Sequence, residues 1–276
     1  MLLRGLSVFA PGLCKQVCLA DSLARASDFG FASATTLDFP GGWATALDCS
    51  LQLCFDFSGY PDIAIGLALV FGIAFPFNFD GPYRACDIRD FRRRWHMTLS
   101  RFLRDYVYVA LGGIWHGAGW PFVIWGAMHG AGMVVHRLWR RSGARLPAVP
   151  AWPLSFLFVV LALVMFRAPD VATALAVCRA LIDVGRFDPA ALTGWRIYAS
   201  QAPFVLWLNA LDTMGVGLGG WLLILACLGL SVFGRNSSQP GTASRPTPGW
   251  ALLTVVPLVG GVPAMQTGQP FIYLRC

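Results

Sequence analysis

Three histidines sit where acid–base chemistry could be done. His116 and His129 lie in GGIWHGAGWPFVIWGAMHG, residues 112–130, a run otherwise made of glycines, tryptophans and aliphatic side chains. His96 lies just upstream in RRRWHMTLSRFLRDY. An imidazole titrates near 6.5, so its neutral form can take a proton from a hydroxyl at physiological pH, and desolvation lowers the pKa further and keeps the base free. The competing reading for each is a packed histidine that donates to a backbone carbonyl. Ionisable groups inside a membrane are costly and tend to be functional, which keeps both readings open on residues alone. His136 stands one heptad beyond His129, beside arginines, and reads as an interfacial side chain. Asp56 and Asp62 lie in FDFSGYPD. They read either as acids lining a pathway or as the ends of two helices meeting at Ser58-Gly59-Tyr60-Pro61, because proline disfavours helix at the residue before it.

The elements that must position these groups follow from composition. The chain is 56% hydrophobic and 13% charged, against roughly 45–50% and about 25% in soluble domains. That is the composition of a polytopic integral membrane protein. The net charge of +7 is almost wholly arginine, Lys15 being the only lysine. The arginines cluster at the ends of apolar runs, which is the signal of cytoplasmic loops and not of a nucleic-acid surface. The eight cysteines are scattered, with no CxxC and no Cys/His cluster. They read as small buried hydrophobes, with neither a metal site nor a disulfide framework expected. Pro11 and Lys15 interrupt the first apolar stretch, which argues against a signal peptide. Many apolar runs are shorter than the roughly twenty residues of a full span and are broken by Gly or Pro. Irregular backbone cannot face lipid, so the expected fold is all-α and polytopic, with short, broken or re-entrant transmembrane helices around an internal cavity.

Along the chain, residues 1–276 read as one membrane-embedded region. An apolar segment at 5–20 is followed by a mixed connection at 21–42 and a long apolar stretch at 43–79. Residues 82–106 read as a cytoplasmic basic amphipathic helix, with Phe91, Trp95, Leu99, Phe102, Leu103 and Tyr106 recurring at spacings of three and four. His96 falls at the edge of its apolar face. Residues 107–136 are then continuously apolar up to Arg137, Arg140, Arg141 and Arg145. The positive-inside rule puts the arginines at both ends on one side, which requires an even number of crossings. Thirty residues cannot make two spans of about twenty each. The segment is therefore a re-entrant hairpin, or it lacks a piece. Further spans are expected at 153–170 and around 218–234, with an amphipathic stretch to 201 between them. A solvated loop at 235–249 and an apolar segment at 250–265 close the chain.

The segments LQLCFDFSGYPDIAIGLALVFGIAFPFNFDGPY, DFRRRWHMTLSRFLRDYVYVALGG and IWHGAGWPFVIWGAMHG together strongly resemble the membrane-bound O-acyltransferase (MBOAT) superfamily, and within it the alginate O-acetylase branch. Weaker similarity runs from FAPGLCKQVCLADSLA through MFRAPD to the closing FIYL. The resemblance implies transfer of acetyl groups towards an exported polysaccharide, alginate first, in the bacterial inner membrane by a multi-pass protein. The histidine of the family's WHG block is His116, its implied general base, and that of the RRWH block is His96. A further family histidine is His129. Trp115 and Trp120 would shape and dry the cavity, while His129, Asp56 and Arg94 would support it or line the substrate channel. His96 would orient the acyl donor or polarise its carbonyl, or simply pack on Trp95. No bound cofactor and no metal is implied. Acetyl-CoA or a similar donor would be a substrate, met by the arginines of the basic helix. Expected partners are membrane lipid and either the polysaccharide or an extracytoplasmic acetyl-relay protein, with no nucleic acid. Another envelope glycan, such as cellulose or peptidoglycan, is a close variant. An inactive family remnant and a non-enzymatic transporter or scaffold are the other readings, although the last has no reason to combine RRRWH with WHGA.

Two departures from the family pattern shape these expectations. The chain opens in what is the family's middle, and DYVYVALGG runs directly into IWHGAGW where the family places a basic loop and a helix. The piece expected to be missing is on the order of one span, with Gly112-Gly113 as the seam. It is the same crossing that the arginine clusters leave unaccounted for.

Overall fold

The computed structural model describes residues 1–106, 119–144, 146–188, 219–234 and 255. Among them the regular structure is all helical. Helix α1 (Leu2–Leu13), a π-helical turn (Cys14–Ala20) and α2 (Asp21–Ala32) form one continuous run. A short connection leads into α3 (Phe39–Val70), whose N-cap Asp38 accepts from the Gly41 amide at 2.9 Å. The mixed connection expected at 21–42 is therefore helical as far as Ala32. Its polar residues are accommodated within the helix: buried Ser22 donates to the Cys18 carbonyl at 2.7 Å.

The first run and α3 pack antiparallel with their backbones touching. A Cβ placed on Gly12 would meet the Gly59 carbonyl at 3.0 Å, and one on Gly66 would meet the Phe9 amide at 2.6 Å. Only glycine allows such an approach, and small residues at helix contacts are a common means of packing in membranes. Lys15 of the π-helical turn pairs with Asp62 of α3 at the same crossing.

Helix α3 does not break at Ser58–Pro61, contrary to the sequence expectation. Pro61 supplies no amide for the Phe57 carbonyl, and that loss normally kinks or ends a helix. Here Gly59 and Asp62, on either side of Pro61, are held against the first run, so tertiary contact overrides the local preference. The irregularity falls instead in the first run, where Pro11 precedes the π-helical turn.

Helix α4 (Ile88–Arg94) is capped by Asp87, which accepts from the Asp90 amide at 2.7 Å. Helix α5 (Met97–Tyr106) follows. The single amphipathic helix expected over 88–106 is thus two helices. Trp95 is extended, and His96 has a left-handed φ of 42°, a conformation that interrupts any helix. Helix α6 (Trp120–Arg141) runs without a hairpin from Trp120 onward. Helix α7 (Ala148–Arg167) leads to α8 (Val171–Ala180), capped by Asp170, which accepts from the Thr173 amide at 2.8 Å.

Helix α9 (Gly219–Phe233) has 15 residues, less than the roughly twenty of the span expected there. Among the described residues three runs are long and apolar enough to cross a membrane: Leu2–Ala32, Phe39–Val70 and Ala148–Arg167. The core forms where α3, α7 and α9 meet, around Leu51, Leu53, Val160, Val164, Ile224 and Cys227. Cys18, Cys49, Cys54 and Cys227 are buried, packing as small hydrophobes. The segments at 189–201, 235–249 and 250–265, like Arg145, lie outside the described residues, apart from Val255.

Candidate active site

The turn between α4 and α5 is clamped from one side by residues 78–80. The Met97 amide donates to the Asn78 carbonyl at 2.9 Å, and the Asp80 amide donates to the Arg94 carbonyl at 3.1 Å. Asn78 Oδ1 accepts from the Thr98 hydroxyl at 2.6 Å and from its amide at 3.1 Å. This frame holds His96 in its left-handed conformation.

His96 is the N-cap of α5. Its carbonyl accepts from the Ser100 amide at 2.9 Å, and its Nδ1 accepts from the Leu99 amide at 3.3 Å. An Nδ1 that accepts carries no proton, so in the neutral ring the proton is assigned to Nε2. His96 is thereby arranged to donate from Nε2, which suits polarising a carbonyl oxygen better than abstracting a proton. Phe57 and Phe79 pack on the imidazole, with centroids 4.9 Å and 6.3 Å away. Burial pushes its pKa below the ordinary histidine value, favouring the neutral ring.

His129 sits on α6 and is 6% exposed. Phe91 of α4 lies nearly parallel to its ring at 6.3 Å, Trp125 meets it edge-on at 5.0 Å, and Phe158 of α7 meets it edge-on at 5.8 Å. Gly132 admits Phe158: a Cβ there would lie 2.9 Å from the Phe158 ring. Trp95 stacks on Phe91 at 5.4 Å and touches Phe57 at 6.0 Å. His96 and His129 therefore occupy two ends of one aromatic cluster that draws on α3, α4, α6 and α7.

Asp87 Oδ1 lies 4.0 Å from His136 Nε2, which puts the start of α4 beside the last turns of α6. The arginine-rich helix α4 and the arginine-rich last turns of α6 are therefore neighbours. His136 stands at that junction, its side chain 17% exposed.

The other expected site residues fall differently. His116 and Trp115, together with the seam at Gly112-Gly113, lie outside the described residues. Trp120 is 74% exposed at the start of α6 and takes no part in the enclosure of His129. That place belongs to Trp125, one helical turn before His129, and to Phe158. The i, i+4 spacing of Trp125 and His129 was visible in sequence, whereas Phe158 is reached only through folding. Arg94 donates from Nε to Asp90 at 3.0 Å and from Nη1 to the Asp80 carbonyl at 3.1 Å, so it latches the turn. Asp56 is buried on α3, and Asp62 pairs with Lys15 at 2.6 Å, so neither marks a helix end.

A family model for the membrane-bound O-acyltransferase family matches residues 1–176, which include His96, His116 and His129. The chain is 45% identical over 204 residues to the peptidoglycan O-acetyltransferase of Helicobacter pylori, covering 65% of this chain and 39% of that protein. It is 36% identical over 270 residues to the probable alginate O-acetylase AlgI of Azotobacter vinelandii, covering 87% of this chain and 49% of that protein. A teichoic acid D-alanyltransferase of Streptococcus thermophilus is 33% identical over 118 residues, covering 33% of this chain and 28% of that protein. The chain spans about half or less of the length of these relatives. With the histidine blocks, the all-helical fold and this match in agreement, the chain belongs to the membrane-bound O-acyltransferase family.

Proposed function

We propose that this chain belongs to an O-acyltransferase of the bacterial inner membrane, a multi-pass protein that moves acetyl groups onto hydroxyls of an exported polysaccharide. His116 removes the hydroxyl proton as the oxygen attacks the acyl carbon. His96 donates from Nε2 to the acyl carbonyl oxygen, where negative charge develops, and that interaction strengthens towards the transition state. The proton on His116 then passes to the leaving group of the donor, acetyl-CoA or another acyl carrier. Trp125, Phe91 and Phe158 exclude water beside His129, which supports the wall of the site.

The observation that carries this reading is the engaged Nδ1 of His96, set in an aromatic cluster of a chain from an acyltransferase family. The acceptor is alginate or a related envelope glycan, in keeping with the printed names of the relatives, or an extracytoplasmic acetyl-relay protein that passes the group on. The match to the A. vinelandii protein extends over 270 residues yet uses 87% of this 276-residue chain. The relative is therefore the longer of the two within the matched region, in keeping with a piece missing from this chain.

The test is complementation of a strain lacking the polysaccharide O-acetylase, with ester-linked acetate on the isolated glycan as the readout. The unmodified chain is expected to restore acetate, and His116→Ala to abolish it. Full acetylation by His116→Ala sinks the general-base assignment. Acetylation only after a helix is restored between Tyr106 and Gly119 identifies the chain as an inactive remnant.

A further inference from the structure

Helix α4 carries three consecutive arginines, and the structure treats them differently. Arg93 is exposed, and Arg94 is held by Asp90 and Asp80. Arg92 is partly buried, yet among the described residues it donates no hydrogen bond and pairs with no carboxylate. The neighbouring acids are committed elsewhere, Asp87 to the cap of α4 and Asp90 and Asp80 to Arg94. A desolvated cation without a counter-charge is costly, and burial indeed works against the Arg92 charge.

Arg92 follows Phe91, whose ring lies 6.3 Å from that of His129, so both residues stand where α4 meets α6. The Nδ1 of His129 is itself buried and has no hydrogen-bond partner among the described residues. Among the described residues neither the guanidinium nor this ring nitrogen has an acceptor, and with the ring proton assigned to Nδ1 both would donate to the same ligand: oxygen atoms bearing negative charge. A planar guanidinium matches carboxylate and phosphate geometry through paired donors.

We propose that Arg92 and His129 form a binding site for an oxyanion group of a substrate, a phosphate or a carboxylate. The site deepens the acyl-transfer reading and rests on it only for the ligand's origin. A phosphate would belong to a phosphorylated acyl donor, and a carboxylate to an acidic sugar of the acceptor.

Calorimetric titration of the purified full chain in uncharged detergent, with inorganic pyrophosphate and separately with glucuronate, tests this without turnover. Saturable binding of pyrophosphate assigns the donor, and saturable binding of glucuronate assigns the acceptor. Arg92→Gln is expected to weaken that binding at least about tenfold, and His129→Gln to weaken it less. Arg93→Gln is expected to leave it unchanged. If Arg92→Gln fails to fold by circular dichroism, Arg92→Lys takes its place and must still weaken binding, because lysine lacks the paired donors. Equal affinities for the Arg92 and Arg93 variants overturn the proposal, as does the absence of saturable binding of either probe to the unmodified chain. A chain that binds but fails to acetylate, even with a helix restored between Tyr106 and Gly119, overturns the acyl-transfer reading and leaves this site standing.

Discussion

Lys15 Nζ lies 2.6 Å from Asp62 Oδ2, tying the π-helical turn of the first run to the middle of α3. The pair sits beside the Gly12–Gly59 crossing, so charge and close backbone contact act at one place. It fixes how the two runs register against each other.

Removing one partner of this pair should cost more than removing both. Asp62→Ala leaves the Lys15 ammonium without its carboxylate and is expected to lower stability by about 3 kcal/mol. The double variant Lys15→Met with Asp62→Leu should recover most of that loss. Thermal unfolding in detergent measures both, and a double variant no more stable than the single one contradicts the account.

The crossing itself should reject any side chain. Gly66→Leu would drive a Cβ into the Phe9 backbone, which cannot yield as a flexible side chain would. Loss of monodisperse folded protein on size-exclusion chromatography is expected. Gly130→Ala meets nothing within 4 Å on α6, and its better helix propensity should leave stability unchanged or raise it by up to about 1 kcal/mol.

Arg94 should behave as a latch and not as a substrate contact. Arg94→Lys keeps the charge but cannot reach Asp90 and Asp80 with a planar fork, and a stability loss of about 1–2 kcal/mol is expected. The affinity for anionic probes should be unaltered. A weakened affinity at unchanged stability would put Arg94 back in the channel.

The His96 ring sets a pH dependence whose sign can be worked out. Its pKa is lowered in the folded protein by burial, so the unfolded chain binds the proton more readily. Stability is then full above the ordinary histidine value of about 6.5 and falls as pH drops below it. Protonation would also destroy the Nδ1 acceptor that caps α5. His96→Asn tolerates the left-handed backbone and can still cap a helix. It should fold, lose part of the acid sensitivity between pH 7 and 5, and lose acetyl transfer. Unfolding scans across that range, compared with the unmodified chain, provide the check.

Much of the architecture could be read from local pattern. Sparse charge and long apolar runs implied membrane helices, and α3 and α7 fall where apolar stretches were expected. The RRRWH and WHGA blocks were specific enough to name the family. Other features were not legible. Pro61 predicted a break that the Gly12 and Lys15 contacts suppress, and a regular spacing of three and four hid the interruption at His96. Trp120 was expected at the cavity, and the packing of α4 and α7 on α6 puts Trp125 against His129 instead.

The division has a physical cause. Membrane class, helical content and the presence of proton-transfer groups follow from side-chain chemistry and from spacing along one element, which the order of residues specifies directly. The course of α3 through Pro61, the left-handed turn that aims His96, and the enclosure of His129 depend on contacts between elements far apart in the chain. Those contacts contribute energies as large as the local preferences they oppose, so only the folded arrangement decides which prevails.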